Sequence, residues 1–450
     1  MKIMAMRFSI YMLLVLSVYF ISNCPVNLAH RNEDDPTIKT MEEFSGYPIH
    51  ESHFLNSLSS LSVDAETLQK QIDELSSFSD SPAPSVTRIL YSEKDVLSRR
   101  TGSEPELAPV STGSHTDAIP YSGKYDGVVG VLGAIEAINV LKRSSFKPKR
   151  SLDVIMFTSE EPTRFGIGCL GSRLLAGSKE LAQQLEKTVD GQNVSFFYAA
   201  KSAGYMNVEK LSTVFLEKGS YSAFVELHIE QGPILEEEAT SIGIVTAIAA
   251  PASIKVDFEG TGGHAGAVLM PKRNDAGLAA AELALAVEKH VLESGSIDTV
   301  GTVGILELHP GAINSIPSKS HLEIDTRDID EERRNSVIDK IYESALSISK
   351  RRGVKLSEYK IVNQDPPALS DELIIKAAES ASQELELTYK KMISRAYHDA
   401  LFMARVSPMG MIFIPCYKGY SHKPEEFATI DHIADGVKVL ALTLAKLSLS

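Results

Sequence analysis

The chain has 450 residues, enough for two domains with separate cores, and 43% of it is hydrophobic against 23% charged, the balance of a folded globular protein. Its formal net charge of -14 argues against nucleic acid as a partner, because no basic stripe offsets phosphate repulsion. Three cysteines (Cys24, Cys169 and Cys416) are too few and too scattered for a disulfide framework or a thiolate zinc site, and the last two read as buried small hydrophobes.

Lys2 and Arg7 precede an apolar run from Ile10 to Ile21, and polar residues follow. That layout is a secretory signal over residues 1–24, too short for a stable membrane span. A catalytic domain is expected from residue 30. It begins with a helical pattern at Leu58, Leu61, Leu68, Ile72 and Leu75, a Ser/Pro/Asp-rich linker or turn from Ser76 to Pro84, and a short strand or the start of a packed loop from Val86 to Tyr91. Ser92 to Pro109 carries little hydrophobic pattern. The stretch Gly113-Ser-His-Thr-Asp117 comes next, and Tyr125-Asp-Gly127 opens an amphipathic helix over 126–142. Asp126 stands at that helix's N-terminus, where free N–H groups and the helix dipole favour a carboxylate.

Leu152 to Thr158 is a nearly continuous apolar run of β type, as for a strand buried on both faces, and it ends in Ser159-Glu160-Glu161-Pro162. A helix is predicted over 178–187, and Asn193-Val194-Ser195 is a glycosylation acceptor. The strand Tyr221–His228 ends in His228-Ile-Glu-Gln-Gly232. Strands alternating with helices define an α/β sheet, which binds ligands beyond the carboxyl ends of its strands. Three strand ends here carry His115, Glu160/Glu161 and His228.

The pattern changes near Ile242. Two strands over 245–258, the turn Gly260-Thr-Gly-Gly-His-Ala-Gly266, an alanine-rich helix over 275–293, strands at 299–306 and 321–328, and a helix over 331–351 read as a small α+β unit inserted at 242–352. From 353 the catalytic domain resumes, with Ser394-Arg-Ala-Tyr-His-Asp-Ala400, a strand over 409–415, Tyr420-Ser-His422 and a final helix over 430–447.

The donors His115, Asp126, Glu160, Glu161, His228 and His422 are the set that two divalent ions sharing one carboxylate require, with one carboxylate left as base. Each has a plainer reading alone: Ser-His-Thr-Asp as a self-capped turn, Glu160-Glu161 as a solvated helix cap, His228 as a core histidine. Their shared position at strand ends favours the metal centre. Adjacent buried glutamates repel, and the repulsion is relieved when one binds metal and the other holds a proton, which suits a general base. Arg327, at the end of an alternating strand, reads by itself as a surface ion pair.

Gly113-Ser-His-Thr-Asp117, Lys124-Tyr-Asp-Gly127, Glu160-Glu-Pro-Thr-Arg-Phe165, Leu227-His-Ile-Glu-Gln-Gly-Pro233, Gly263-His-Ala-Gly266, Ser394–Ala400 and Tyr420-Ser-His422 together resemble the amidase/hydantoinase/carbamoylase branch of the M20 metallopeptidase-like family. The resemblance runs from about Glu43 to the C-terminus. It implies a mixed sheet with helices on both faces, plus an inserted lid domain that dimerises. It also implies two Mn2+ per subunit, one on His115 and His228, the other on Glu161 and His422, with Asp126 bridging. Glu160 would be the base, and His264 would reach across a dimer interface to stabilise an oxyanion. Gln231, Asn314, Arg327, Tyr397 and His398 would bind substrate, Arg327 through a forked contact with a carboxylate. The implied activity is hydrolysis of a small ureide in purine breakdown in the endoplasmic reticulum: ureidoglycolate to glyoxylate, ammonia and CO2. Allantoate and N-carbamoyl amino acids are the alternative substrates, and an inactive shortened variant is the alternative to an enzyme. Tyr397 before His398 resembles the ureidoglycolate-cleaving members, because allantoate-cleaving ones tend to have glycine there. One departure stands out. Only Thr101 to Leu107 joins segments that family members separate by a helix and strand material, so a piece of sheet beside His115 is expected to be missing.

Overall fold

The computed structural model describes residues 61–77, 86–88, 96–203 and 211–450. The secretory signal, Cys24, the helical positions before Leu61, most of the Ser76–Pro84 linker and the end of the Val86–Tyr91 strand lie outside them.

Helix α1 (Ala65–Ser76) starts at Asp64, whose side chain accepts from the Thr67 N–H, and it buries Leu68 and Ile72. Strand β1 (Val96–Arg100) follows, then β2 (Val110–His115), α2 (Val128–Arg143), β3 (Leu152–Phe157), α3 (Leu170–Leu175), β4 (Ala223–Ile229) and β5 (Ile242–Ile248). The chain then builds a second layer from β6 (Ala250–Glu259), α4 (Ala276–Leu292), β7 (Val300–His309), β8 (Lys319–Asp328), α5 (Glu331–Arg352) and β9 (Lys355–Gln364). It returns through β10 (Ala368–Leu369), α6 (Glu372–Glu384), β11 (Tyr389–Ser394), α7 (Asp399–Met403), β12 (Met409–Ile414) and α8 (Ile430–Leu449).

The central sheet has eight strands in the order β10-β5-β12-β4-β2-β3-β1, with β11 also paired to β5. Strands β12, β4, β2 and β3 are mutually parallel, whereas β1, β10 and the β5–β12 pair are antiparallel. The sheet is mixed. Every residue of β2, β4 and β12 is buried, because helices cover both faces. On one face α2 and α8 pack together. There the Leu227 side chain meets Gly133 and Gly436, and a Cβ on Gly130 would lie 2.4 Å from the Leu227 carbonyl oxygen, so at Gly130 helix and strand meet backbone to backbone. Phe224, on the alternate face of β4, packs with Phe157, Phe413 and Phe402 of α7.

In the second layer the antiparallel order is β7-β8-β6-β9. One face buries Ile254, Val256, Phe258, Leu322 and Ile324 against Leu283 of α4 and Ile341 of α5. The other face carries polar residues at the alternate positions. The expected 242–352 insertion is corrected at both ends. Ile242–Ile248 pairs with β12 and belongs to the central sheet, and Lys355–Gln364 pairs with β6 and belongs to the second layer. The inserted unit therefore spans 250–364. Alternating apolar patterns run across both borders, and periodicity within a strand does not say which sheet it joins.

The short 101–107 joint does not leave the strand of His115 bare. Strand β2 pairs on one side with β3 and on the other with β4, and Val96–Arg100 forms the antiparallel edge beyond β3. The connecting loop is tied down: Ser103 and Glu104 donate backbone N–H bonds to the Pro148 and Lys149 carbonyls, and Arg150 donates to the Ala108 carbonyl at 3.0 Å. Among the described residues no helix is long and apolar enough to cross a membrane, and Cys169 and Cys416 are buried free thiols.

Candidate active site

Parallel strands deliver their carboxyl ends to one edge of the sheet. His115 closes β2, Glu160 and Glu161 follow β3, His228 is the penultimate residue of β4, and His422 lies in the loop after β12. Asp126 enters from the turn before α2. It does not cap that helix as its position suggested; Gly127, at φ +66°, occupies the capping position without a side-chain bond. A Cβ there would stand 2.4 Å from His115 Nε2, so this position requires glycine both for its backbone and for room.

The freed Asp126 carboxylate faces three imidazoles. Its Oδ1 is 3.1 Å from His228 Nε2 and 3.6 Å from His115 Nε2, and its Oδ2 is 3.4 Å from His422 Nε2. Glu161 Oε1 stands 3.2 Å from His422 Nε2, at an angle that makes no hydrogen bond. Two triads result, His115–Asp126–His228 and Asp126–Glu161–His422, sharing Asp126. The Nδ1 atoms of His115 and His228 lie 3.1 and 2.9 Å from the backbone carbonyls of Asp117 and Ile229. Donation there leaves each Nε2 unprotonated, the tautomer a metal ligand needs, and His228 Nε2 accepts the Gly127 N–H at 3.2 Å.

Burial opposes charge on His115, His228, Asp126 and Glu160, and neighbours decide the outcome. Burial resists protonation of His115 and His228, but the Asp117 and Asp126 carboxylates raise the first well above the usual histidine range and Asp126 raises the second. Burial likewise resists ionisation of Asp126, but the two imidazoles hold it well below the usual carboxylate range. For Glu160 the relief from His115 is not enough: burial, reinforced by Glu161, Asp399 and Asp117, drives it well above the usual range. Each buried ion costs several kcal/mol to desolvate, on the order of what divalent cations would offset here. Three imidazole nitrogens and two carboxylates, with no thiolate, form a donor set for borderline-to-hard divalent ions, and Glu161 Oε1 is buried with no hydrogen-bond partner. The residues fit two divalent metals.

These groups open into a cavity of about 970 Å³ between the central sheet and the polar face of the inserted one, lined also by Gln231, Arg327 and Tyr397. Gln231, at φ +57°, donates to Asp126 Oδ2 at 2.7 Å, while its Oε1 is buried without a partner. The Tyr397 hydroxyl donates to Asp365 at 2.7 Å. Arg327 makes the expected ion pair, with Asp325, yet does so on the cavity wall. His398 lies behind the cluster, its ring edge-on to His228 at 4.6 Å. Burial and His228 hold it well below the usual range, hence neutral. His264 and Asn314 are not brought here. They sit exposed on an antiparallel ribbon of the inserted unit, Gly263–His264 against Ser315–Ile316, outside the cavity.

Several supporting residues escaped the sequence reading. Asp117 accepts the backbone N–H groups of Glu160 and Glu161 at 3.3 and 3.0 Å. Glu426 accepts those of Tyr125 and Asp126 at 2.8 and 3.0 Å, and burial beside Asp126 pushes it up to about 7. Ser421 donates to Asp126 Oδ2 at 2.6 Å. Asp117 had a signal, since metal-binding imidazoles need a partner on the second nitrogen and it stands two residues from His115. Glu426 had none.

A pair of candidate metal-binding triads sharing one carboxylate, at the carboxyl edge of an α/β sheet beneath an inserted layer, defines a metal-dependent hydrolase. The chain belongs to peptidase family M20/M25/M40, whose family model matches residues 111–446. It is similar to ureidoglycolate hydrolase of Arabidopsis thaliana, 72% identical over 456 aligned residues covering 94% of this chain and 96% of that protein. It is also similar to ureidoglycolate hydrolase of Oryza sativa subsp. japonica, 69% identical over 91% of each chain. The first alignment is longer than this chain, so the relative carries residues with no counterpart here. The crystal structure of AtUAH in complex with glyoxylate superposes with a TM-score of 0.81 at 72% identity, covering 88% of this chain and all of that one.

Proposed function

We propose that the chain is a dimanganese amidohydrolase that cleaves (S)-ureidoglycolate to glyoxylate, ammonia and CO2 in ureide breakdown, working as a homodimer in the endoplasmic reticulum. The observation that carries the chemistry is the pair of triads sharing Asp126 with Glu160 beside them: its Oε2 is 3.9 Å from His115 Nε2, facing the cluster. The substrate is supported by the Arabidopsis and rice relatives and by the neighbour that holds glyoxylate.

Two divalent ions in this site supply Lewis acidity and a nucleophilic water at neutral pH. Glu160 takes the proton of the attacking water at Oε2 and passes it to the leaving nitrogen, and its raised proton affinity suits both halves of that transfer. Arg327, on the opposite wall, pairs with the substrate carboxylate. Tyr397, braced by Asp365, contributes to substrate binding.

The dimer reading rests on an unpaired edge. Strand β7 ends the inserted sheet with Ile305, Leu306 and Leu308 exposed, and α4, packed on β7, exposes Leu278, Leu285 and Leu292 at seven-residue spacing. An apolar edge of this kind is covered by a second copy of the same edge. In that assembly the exposed ribbon carrying His264 and Asn314 serves the partner's cavity. The endoplasmic reticulum reading rests on Lys2, Arg7 and the apolar run to Ile21. The test is release of ammonia and glyoxylate by chelator-treated protein before and after Mn2+ is restored. Activity on ureidoglycolate that returns with Mn2+ is expected. Activity on allantoate or an N-carbamoyl amino acid instead overturns the substrate, and a folded protein inert towards all three overturns the enzyme.

A further inference from the structure

Arg327 is already committed before any substrate arrives. Its Nε donates to Asp325 Oδ1 at 2.7 Å and its Nη2 to Asp325 Oδ2 at 3.4 Å, while its Nη1 donates to the Arg395 carbonyl at 2.9 Å. Arg395 returns its own guanidinium to Asp298 of the inserted unit. Asp325 and Arg327 stand two apart on β8, so alternation puts both on the sheet face that lines the cavity, opposite Ser253 and Pro251 of β6. A guanidinium has five N–H donors fixed in one plane. Three are engaged, one donor remains on each terminal nitrogen, and the Nε edge is closed.

We propose that Asp325 is a positioning residue for substrate binding. It fills the Nε edge of Arg327 and thereby fixes the guanidinium so that a carboxylate meets its two terminal nitrogens. The inference rests on the assignment of Arg327 to the substrate carboxylate. Charge alone makes the opposite forecast. An anion at Asp325 repels a substrate carboxylate, so its removal would tighten binding if orientation were unimportant. Fixing the fork outweighs that repulsion, because the repulsion acts across an open, hydrated cavity whereas a misdirected fork loses a charge-assisted hydrogen bond.

The experiment compares Asp325→Ala, Asp325→Asn and Arg327→Ala in the full chain loaded with Mn2+, measuring KM and kcat on ureidoglycolate and the inhibition constant of glyoxylate. Asp325 is about one-third exposed, so both variants are expected to fold. For Asp325→Ala, KM and the glyoxylate constant rise about tenfold with kcat nearly unchanged, the signature of lost uniform binding. Asp325→Asn falls between, because its amide carbonyl still accepts the Nε–H. A KM that is unchanged or lower in Asp325→Ala, or a loss confined to kcat, overturns the proposal. If Arg327→Ala raises KM while Asp325→Ala does not, the positioning role alone falls. If Arg327→Ala leaves KM unchanged, the Arg327 assignment falls and takes the inference with it.

Discussion

Glu160 and Glu161 are neighbours in sequence whose carboxyl groups end in different surroundings. Glu161 Oε1 stands 3.2 Å from His422 Nε2, whereas Glu160 Oε1 accepts the buried Cys169 thiol at 3.3 Å, leaving Oε2 on the His115 side. Ser159 at φ +55° turns the chain just before them, and Asp117 holds both backbone N–H groups. Those surroundings suit Glu161 to the ligand role and Glu160 to the base role proposed above. Glu160→Gln keeps the shape and removes the base. Turnover is expected to fall by roughly 10²–10⁴ while bound metal, measured by elemental analysis, stays at the wild-type level. Retained turnover would remove Glu160 from the mechanism.

Asp117 acts at one remove. Its carboxylate holds the turn of both glutamates and faces His115 Nδ1 at 3.6 Å. Asp117→Asn keeps one acceptor oxygen and places an amide donor against one of the two backbone N–H groups. Metal affinity is expected to weaken about 10–100-fold, read by competition with a chelator. Unchanged affinity would show that the turn holds without it.

Gly127→Ala tests the room behind His115. The added Cβ would stand 2.4 Å from Nε2 on a backbone at φ +66°, so ring and turn cannot both stay. Melting temperature and metal stoichiometry should drop together, with a stability loss of at least about 1 kcal/mol. A fully loaded Gly127→Ala protein would contradict the packing.

Protons compete with metal at His422. The Glu161 carboxylate beside it, against a smaller effect of burial, pushes this imidazole up to about 9 from 6.5. A raised histidine stabilises the metal-free fold fully below 6.5, and that contribution is lost as pH rises through 9. His115 and His228 shift the same way. Chelated protein should therefore melt lower above pH 9 than below 6.5, by a modest amount because the His422 side chain is 47% exposed. Adding Mn2+ inside that window should release protons, measurable with a pH indicator in weak buffer. Metal uptake without proton release would mean the imidazoles were neutral beforehand.

The edge of β7 predicts assembly. Leu285, 67% exposed in the middle of the apolar line on α4, is the position at which a charge would harm a dimer most and the folded subunit least. Leu285→Arg is expected to shift the mass measured by light scattering from dimer to monomer. Turnover should fall with it if His264 acts in the partner's cavity. A Leu285→Arg dimer would place the interface elsewhere.

That His115, Glu160, Glu161 and His228 would gather at one edge was legible in the sequence because parallel strands buried on both faces read as unbroken apolar runs. Polar residues at the ends of such runs have one place to go, the carboxyl edge of the sheet. The charge pattern of β8 likewise marked Arg327 and its ion pair. What was not legible depended on pairing across long separations. Ile242–Ile248 joins β12, more than 160 residues later, and Lys355–Gln364 joins β6, about 100 residues earlier, so the limits of the inserted unit moved to 250–364. The helix N-terminal placement of Asp126 was legible only approximately: it stands just before the capping glycine, with three imidazoles from three other segments around it.

Gly113-Ser-His-Thr-Asp117 shows the division most clearly. By itself the sequence determined which side chains were available at each strand end, because alternation and apolar burial are local properties of the chain. Only the tertiary structure decided which of them come within ligand distance of one another and which stand apart on the inserted unit. Those outcomes depend on distances of a few ångströms between segments up to 300 residues apart, as between Glu426 and Asp126, and no local periodicity records them.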